Sequence, residues 1–139
     1  MNVTAIIPAY NEEQYIGEVL SAVCSVDVIK EIIVISDGST DNTAGIARAF
    51  KVDVIELERN CGKGFAMKVG LYNAHSPIIL FLDADLKGIK SYHVERFISN
   101  AFTEKIIDIL LLDKYDIIQL ETLFLTPYVE EIRMGLERL

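Results

Sequence analysis

The chain has few residues of the kinds that metal–thiolate clusters, disulfide scaffolds and membrane spans require. Its 139 residues include two cysteines, Cys24 and Cys61, with no CxxC pair and no Cys/His cluster. The sequence therefore predicts no zinc site, and two isolated thiols are typical of a reducing compartment. The most apolar run, Ile106–Leu112, is interrupted by Asp108 and is far shorter than the roughly 20 residues of a membrane span. Residues 1–8 are too short and uncharged for a signal peptide, so we expect a soluble cytoplasmic protein.

Positive charge is also scarce. Lys and Arg number 13 against 21 Asp and Glu, which gives a net charge of −8 and a pI of about 4.7. This balance argues against nucleic-acid binding, which needs clustered Lys and Arg, but it allows a compact nucleotide held through one or two cations and a metal. Hydrophobic residues make up 51% of the chain and charged residues 24%, which predicts one folded domain with a substantial core.

Apolar runs that predict strands alternate with helical patterns. The expected strands are Val3–Ile7, Glu31–Ile35, Val52–Leu57 and Ile78–Leu82. The helical patterns align Ile16, Val19, Leu20 and Val23; then Ile46, Ala47 and Phe50; then Phe65, Val69 and Tyr72; and finally Val94, Phe97, Ile98, Ala101 and Phe102. Cys24 is expected to join the core face of the first helix. This alternation predicts an α/β fold, a mostly parallel sheet with helices on both faces.

The pattern weakens after Phe102. Residues Ile106–Leu112 could form a fifth strand, and Ile117–Leu125 fits strand or helix about equally. Thr126-Pro127 is typical of a helix start. The residues that such a helix would align are Val129, Ile132, Leu136 and Leu139. It could pack on the sheet, which we favour, form a homodimer, or touch a membrane surface, for which no further signal exists.

Polar residues gather where the four expected strands end. The segments are "PAYNEE", "SDGSTD", "ERNCGKG" and "DADLKG". Ligands of open parallel sheets bind outside the carboxyl ends of the strands. Four polar segments at one edge therefore predict a single composite site.

The acidic pair Asp83 and Asp85 carries the most specific chemistry. Residues at i and i+2 lie on the same side of a strand, and two nearby carboxylates are tolerated when a cation lies beside them. Hard oxygen ligands favour Mg²⁺ or Mn²⁺ over zinc or copper. The alternative, a solvated turn with two surface acids, is the weaker interpretation beside three other polar segments.

The first polar segment, "PAYNEE", is expected both to begin a helix and to contact a ligand. Pro8 is expected to end the first strand, and Asn11 or Glu12 to begin the helix. Backbone groups near Ala9 and Tyr10 could hold a base, and Glu12 could accept hydrogen bonds from ribose hydroxyls.

The second and third segments add an acid and a cation. Gly38 permits a tight turn, and one of Ser39, Thr40 and Asp41 is expected to cap the next helix. Asp37 could accept from a nucleobase N–H. Lys63 in "CGKG" supplies positive charge near phosphate or base, although neither a P-loop nor a dinucleotide fingerprint is present. His75 is expected to have a surface role. His93, on the first turn of the helix after the acidic pair, could approach the site, but we favour a structural role, and Cys61 is expected to be partly exposed.

The motifs "VTAIIPAYNEEQYIGEVL", "EIIVISDGSTDNTAGIA", "NCGKGFAMKVGL" and "IILFLDADL" together resemble the donor-binding half of family 2 glycosyltransferases, which have the GT-A fold. The resemblance covers roughly residues 3–95 and is closest to dolichyl-phosphate mannosyltransferase-like and glucosyl-phosphoglycerate synthase-like members. It implies transfer of a sugar from a UDP- or GDP-linked donor to an unknown acceptor, assisted by Mg²⁺ or Mn²⁺. The residues it implies around the nucleotide sugar are Pro8, Ala9, Tyr10, Glu12, Asp37, Lys63 and Asp83, with Asp85 as metal ligand.

The resemblance also implies what is missing. Family members usually continue into an acceptor-binding half with a second acidic motif that serves as general base. No counterpart follows residue 103, so we expect a donor-binding region over 1–103, a short atypical extension over 104–139, and no identifiable general base. A truncated nucleotide-sugar-binding domain that is inactive alone, or needs a partner subunit, is the alternative. Two other protein classes fit less well. A sugar nucleotidyltransferase would require a Gly/Arg-rich loop after the first strand, and a phosphate-receiver domain would require an acidic pair there. The first strand is followed instead by "PAYNEE", whose acids are expected at the start of a helix.

Overall fold

The structure, a computed structural model, describes residues 2–104 and 120–124. The expected strand over 106–112 and the expected helix after Thr126-Pro127 lie outside the described residues. The elements are β1 (Val3–Ala9), α1 (Ile16–Cys24), β2 (Ile29–Asp37), α2 (Thr43–Ala47), β3 (Asp53–Leu57), α3 (Lys63–Asn73), β4 (Ile78–Leu82), α4 (Ser91–Glu104) and β5 (Leu120–Phe124).

The sheet has the strand order β3-β2-β1-β4-β5. The first four strands pair in parallel, and β5 pairs antiparallel with β4. The α/β prediction is therefore confirmed, and the ambiguous stretch 117–125 contains a strand. The chain moves from β1 outward through β2 and β3, then returns to place β4 on the other side of β1. This reversal creates a topological switch point between β1 and β4, where such sheets form a crevice.

Helices cover both faces of the sheet, as the apolar strands predicted. On one face α1, α2 and α4 contribute Leu20, Ala47 and Phe97 to a core cluster with inward residues of the strands. On the other face, α3 packs Ala66 and Leu71 against a second cluster. Every residue of β1 and of β4 is buried, which is the pattern of strands enclosed on both sides.

The buried face of α3 differs from the predicted one. The residues it buries are Ala66, Gly70 and Leu71, whereas Phe65 is 49% and Tyr72 66% exposed. A Cβ atom built on Gly70 would lie 2.3 Å from Cγ2 of Ile6. The helix backbone therefore rests directly on the sheet, and small residues occupy the contact that the sequence pattern assigned to large ones.

The end of β1 was also predicted wrongly. The strand continues through Pro8 to Ala9, and these residues pair with Ile35 and Ser36 of β2. Pairing with β4 stops at Ile6. Pro8 therefore lies beyond the part of β1 that has neighbours on both sides, where a missing N–H is tolerated as it is on an edge strand.

Two helix starts and one cysteine need correction. Asn11 has a φ of +51°, a left-handed conformation that cannot continue a helix, and α1 begins later, at Ile16. None of the three expected residues is the N-cap of α2, which is Asn42; Asp41, one residue earlier, accepts from the backbone N–H of Thr43 at 2.9 Å. Cys24 is exposed, because it follows the buried Val23 by one residue and is rotated about 100° around the helix.

Within the described ranges, no helix has the length and apolar character to cross a bilayer.

Candidate functional site

A cavity of about 420 Å³ opens at the carboxyl edge of the sheet, at the switch point. All eight residues that the sequence placed at a site line it. The full lining is Pro8, Ala9, Tyr10, Glu12, Asp37, Asn60, Gly62, Lys63, Asp83, Ala84 and Asp85. Asn60 and Ala84 were not predicted individually, although both lie in polar segments that the sequence placed at this edge, "ERNCGKG" and "DADLKG". Residues of all four polar segments therefore meet at one cavity.

Residues of three loops line the cavity, together with the ends of β1 and β2 and the start of α3. A loop follows each of the first four strands, and we name each loop by the strand it follows. They are the β1 loop (residues 10–15), the β2 loop (38–42), the β3 loop (58–62) and the β4 loop (83–90). The β1 and β4 loops flank the switch point, while the β3 loop leads into the first residue of α3, Lys63.

Hydrogen bonds join the β1 loop to the β2 loop and the start of α2. The N–H of Asn11 donates to Ser39 Oγ at 3.1 Å, and the N–H of Thr40 donates to Asn11 Oδ1 at 2.8 Å. The N–H of Asn42 donates to Glu13 Oε2 at 3.0 Å. Asn11 and Glu13 thus hold the second loop, and Glu12, which lies between them, is the member of this trio that lines the cavity.

Thr43 fixes the backbone of Glu12 through a relay. Its hydroxyl accepts from the N–H of Glu12 at 2.9 Å and donates to Asp41 Oδ1. Burial raises the pKa of Asp41, but the hydrogen bonds from Thr43 and from the N–H of Glu13 outweigh it, so the pKa lies below its usual value. An ionised Asp41 accepts the hydrogen bond of the Thr43 hydroxyl, which leaves a lone pair of the Thr43 oxygen facing the N–H of Glu12.

Asp37 anchors the β3 loop. Its side chain lies at the end of β2 and the residue is 3% exposed. Oδ1 accepts from the N–H of Cys61 at 2.8 Å, and Oδ2 accepts from the N–H of Gly62 at 3.0 Å. Gly38, at φ +70°, lets the same loop approach so closely that a Cβ there would lie 2.3 Å from the backbone N of Asn60. Asp37 therefore has a structural role that the sequence did not reveal.

Lys63 and Asp83 form an ion pair across the cavity. Lys63 Nζ lies 2.6 Å from Asp83 Oδ1, with the side chains 46% and 15% exposed. Asp85, two residues further on, is exposed. Both members of the acidic pair line the cavity, as their spacing predicted.

The field inside the cavity is negative. Its lining, as formed by the described residues, contains the carboxylates of Glu12, Asp37, Asp83 and Asp85 and one ammonium group, that of Lys63. Burial raises the pKa of Glu12, and the nearby charges of Asp85, Asp41 and Asp83 raise it further. The cavity therefore favours cations, and an anionic ligand would require an additional positive charge.

The donor set suits a hard divalent cation that a ligand helps to hold. In the part of the chain that the structure describes, no group of three or more His, Cys, Asp and Glu side chains could hold a metal ion. Mg²⁺ is usually bound by one or two protein carboxylates together with substrate phosphates. Asp83 and Asp85 offer that number of carboxylates, so the residues fit a metal of this kind.

The histidines and Cys61 behave as surface or structural groups. His93 Nδ1 accepts from the N–H of Lys90 at 3.0 Å, just before α4. His75 pairs with Glu31 at 2.8 Å, Nδ1 to Oε1, at the opposite end of the sheet from the cavity. Cys61 is exposed. None of the three contacts another described residue in a way that indicates catalysis.

The family model described as "Glycosyl transferase family 2" matches residues 4–117, which is most of the chain. The chain belongs to glycosyl transferase family 2. The family resemblance of the four motifs is confirmed by this match.

A relative from Staphylococcus aureus supports the same membership. Over 103 residues the chain is 36% identical to the 4,4'-diaponeurosporenoate glycosyltransferase of that organism, and the match covers 70% of this chain and 28% of that protein. This family 2 chain thus spans less than a third of the length of its relative.

Solved structures of glycosyltransferases share the fold. The crystal structure of Staphylococcus aureus TarS 1–349 matches with a TM-score of 0.64 and 30% identity, over 76% of this chain and 33% of that one. Glucosyl-3-phosphoglycerate synthase of Mycobacterium tuberculosis, in complex with Mn²⁺, UDP and glucosyl-3-phosphoglycerate, matches with a TM-score of 0.66 and 30% identity, over 73% and 40%. The predicted GT-A architecture is confirmed.

Proposed function

We propose that the cavity binds a nucleoside diphosphate sugar, UDP- or GDP-linked, and that the protein transfers the sugar to an acceptor whose identity the proposal leaves open. The observation that carries this proposal is the convergence of all eight predicted residues on one cavity at the switch point. Family membership supports the reaction class. UDP is the first nucleotide to test, because the related synthase was solved with UDP and Mn²⁺.

Each part of the lining has a role in this proposal. Pro8, Ala9 and Tyr10 border the nucleotide, and Glu12 accepts from the ribose hydroxyls. Asp37 contacts the base while it holds the β3 loop, because each carboxylate oxygen has a second lone pair beyond the one that a backbone N–H uses. Lys63 and Asp83 lie near the pyrophosphate and the sugar.

Charge balance supports a metal requirement. The described lining carries one ammonium and four carboxylates, so a diphosphate that entered alone would meet a net repulsion. Asp85 would ligate Mg²⁺ or Mn²⁺. When bound, the cation would supply Lewis-acid stabilisation of the diphosphate leaving group. Lys63 would hold a second diphosphate oxygen and so orient the bond between the sugar and the phosphate.

The acceptor side stays open in this proposal. We take residues 1–103 as the donor-binding region and 104–139 as an extension of the same domain, and we assign no general base. A cytoplasmic location is likewise a proposal, which rests on the two unpaired cysteines.

The test is a calorimetric titration of UDP, GDP and their sugars with and without Mn²⁺. We expect binding that requires the metal, and an affinity at least about tenfold lower for Asp85→Ala, which equals about 1.4 kcal/mol. The matched control is Asp27→Ala, because Asp27 is exposed and lies outside the cavity lining. Absence of nucleotide binding, or metal-independent binding that Asp85→Ala leaves unchanged, would refute the proposal.

A further inference from the structure

The starting point is the short ion pair that joins α3 to the acidic pair. Lys63 Nζ lies 2.6 Å from Asp83 Oδ1, which is the distance of a charge-assisted hydrogen bond. Asp83 is the less exposed partner, at 15%, so its charge is only partly compensated by solvent. The ammonium group therefore neutralises one carboxylate of the acidic pair beside which the proposed function places a divalent cation.

The backbone that carries Lys63 is held in place, while its side chain has room to move. The two residues before it donate their N–H groups to Asp37, which fixes the start of α3. The Lys63 side chain is 46% exposed, so nearly half of its surface faces solvent. Its flexible four-carbon stem can therefore reorient the ammonium group without moving the loop.

We infer that Lys63 is a built-in counter-ion of the acidic pair, which must release Asp83 before a divalent cation and a diphosphate can bind together. The inference rests on the proposed function and deepens it. A metal ion alone has to compete with the ammonium group for the same negative field. A diphosphate offers the ammonium group a new anionic partner and so removes the competitor. Nucleotide and metal therefore bind with positive coupling, and each strengthens the other by the same factor.

The direct test measures Mn²⁺ binding without nucleotide, from the free-ion electron paramagnetic resonance signal. We expect Lys63→Met to bind Mn²⁺ at least about fivefold more tightly than the wild type, the lower end of usual coupling factors. The same variant should bind UDP in the presence of Mn²⁺ more weakly, because the diphosphate has lost its ammonium partner.

The matched control is Lys68→Met. Lys68 is exposed on the same helix and lies outside the cavity lining, so this variant removes an equal charge without touching the ion pair. It should bind Mn²⁺ as the wild type does. An affinity for Mn²⁺ that Lys63→Met leaves unchanged or lowers would overturn the inference, as would an equal increase in both variants.

A double-mutant cycle with Asp83→Asn separates the contact from long-range electrostatics. If the ion pair is the cause, Lys63→Met should tighten Mn²⁺ binding much less in the Asp83→Asn background. An undiminished gain there would show a general charge effect and refute the inference. If Lys63→Met yields too little folded protein, Lys63→Gln removes the same charge and carries the same expectation.

The two proposals fail in different ways. A wild-type protein that binds no nucleotide with Mn²⁺ refutes the proposed function. A wild-type protein that binds UDP and Mn²⁺ together, but whose Lys63→Met variant shows no gain for Mn²⁺ alone, refutes only the counter-ion role.

Discussion

Replacement of Asp37 by asparagine isolates the structural role of this residue, because the amide has nearly the same shape. The carboxylate accepts two backbone N–H groups, from Cys61 and Gly62, and the residue is 3% exposed. The amide has one acceptor oxygen, so its NH₂ group would face the second N–H. The loss of one hydrogen bond to a charged group costs about 2 kcal/mol of stability, and the conversion of the other from a charged to a neutral hydrogen bond costs about 1 kcal/mol. We expect Asp37→Asn to lower the free energy of unfolding by about 3 kcal/mol.

The measurement is urea denaturation followed by circular dichroism. The midpoint should fall while the m-value stays constant, since the variant exposes the same surface on unfolding. Asp27→Asn, the same change at an exposed position, should stay within about 0.5 kcal/mol of the wild type. The reasoning would be refuted by an Asp37→Asn variant of wild-type stability that binds nucleotide poorly, because that result would leave Asp37 with a ligand contact and no anchoring role.

Two further perturbations test the packing and the far end of the sheet. Gly70→Ala should lower the free energy of unfolding by about 1–3 kcal/mol, because the new Cβ would lie 2.3 Å from Ile6. In Gly64→Ala the new Cβ meets nothing within 4 Å, so this variant should gain up to about 1 kcal/mol from helix propensity. Urea denaturation measures both variants, and equal effects would contradict the close approach of Gly70 to the sheet. Burial raises the pKa of Glu31, but hydrogen bonds led by that from His75 bring it below its usual 4.5, so the stability it contributes is complete above pH 4.5 and is lost as pH falls through the folded pKa. Glu31→Gln should therefore be less stable than the wild type at pH 7, and this gap should narrow below pH 4.5 in thermal melts; a gap that widens with acid would refute the sign.

The sequence predicted the sheet and the edge at which the site lies, because both depend on strong local signals. Continuous apolar runs such as Ile78–Leu82 have few alternatives in a chain that alternates strands and helices. The rule that ligands bind at the carboxyl ends of parallel strands then brought the four polar segments together. The position of Glu12, Lys63 and Asp85 at one cavity required no further information.

The face of α3 could not be predicted, because it depends on a distance between elements. Phe65 and Tyr72 are the larger hydrophobic residues, and a helical pattern alone favours burying them. The approach of Gly70 to Ile6 leaves room only for small side chains at that contact. A pattern of residue types does not report how near a helix backbone comes to its sheet.

The sequence also could not show which residues of a motif line the cavity and which contact a neighbouring loop. Asn11 and Glu13 are polar neighbours of Glu12, and the sequence offers no means to tell a ligand contact from a loop contact. Their partners Ser39 and Asn42 are 28 and 29 residues away, so local reasoning could not find them. The tertiary structure shows that Asn11 and Glu13 bond to the β2 loop, whereas Glu12 lines the cavity.

These sequence separations have a consequence for the order of folding. The hydrogen bonds around the cavity join residues 20 to 31 positions apart: the Lys63–Asp83 pair, the two bonds to Asp37, and the bonds from the β1 loop to Ser39 and Thr43. Each of these bonds closes a long loop, so the chain must lose conformational entropy before the contact can stabilise it. The bonds from the β1 loop can form once the chain has been synthesised through Thr43, whereas the ion pair needs Asp83, which follows β4. The part of the cavity at the end of β1 can therefore take shape first in a nascent chain, and the acidic pair completes the cavity last.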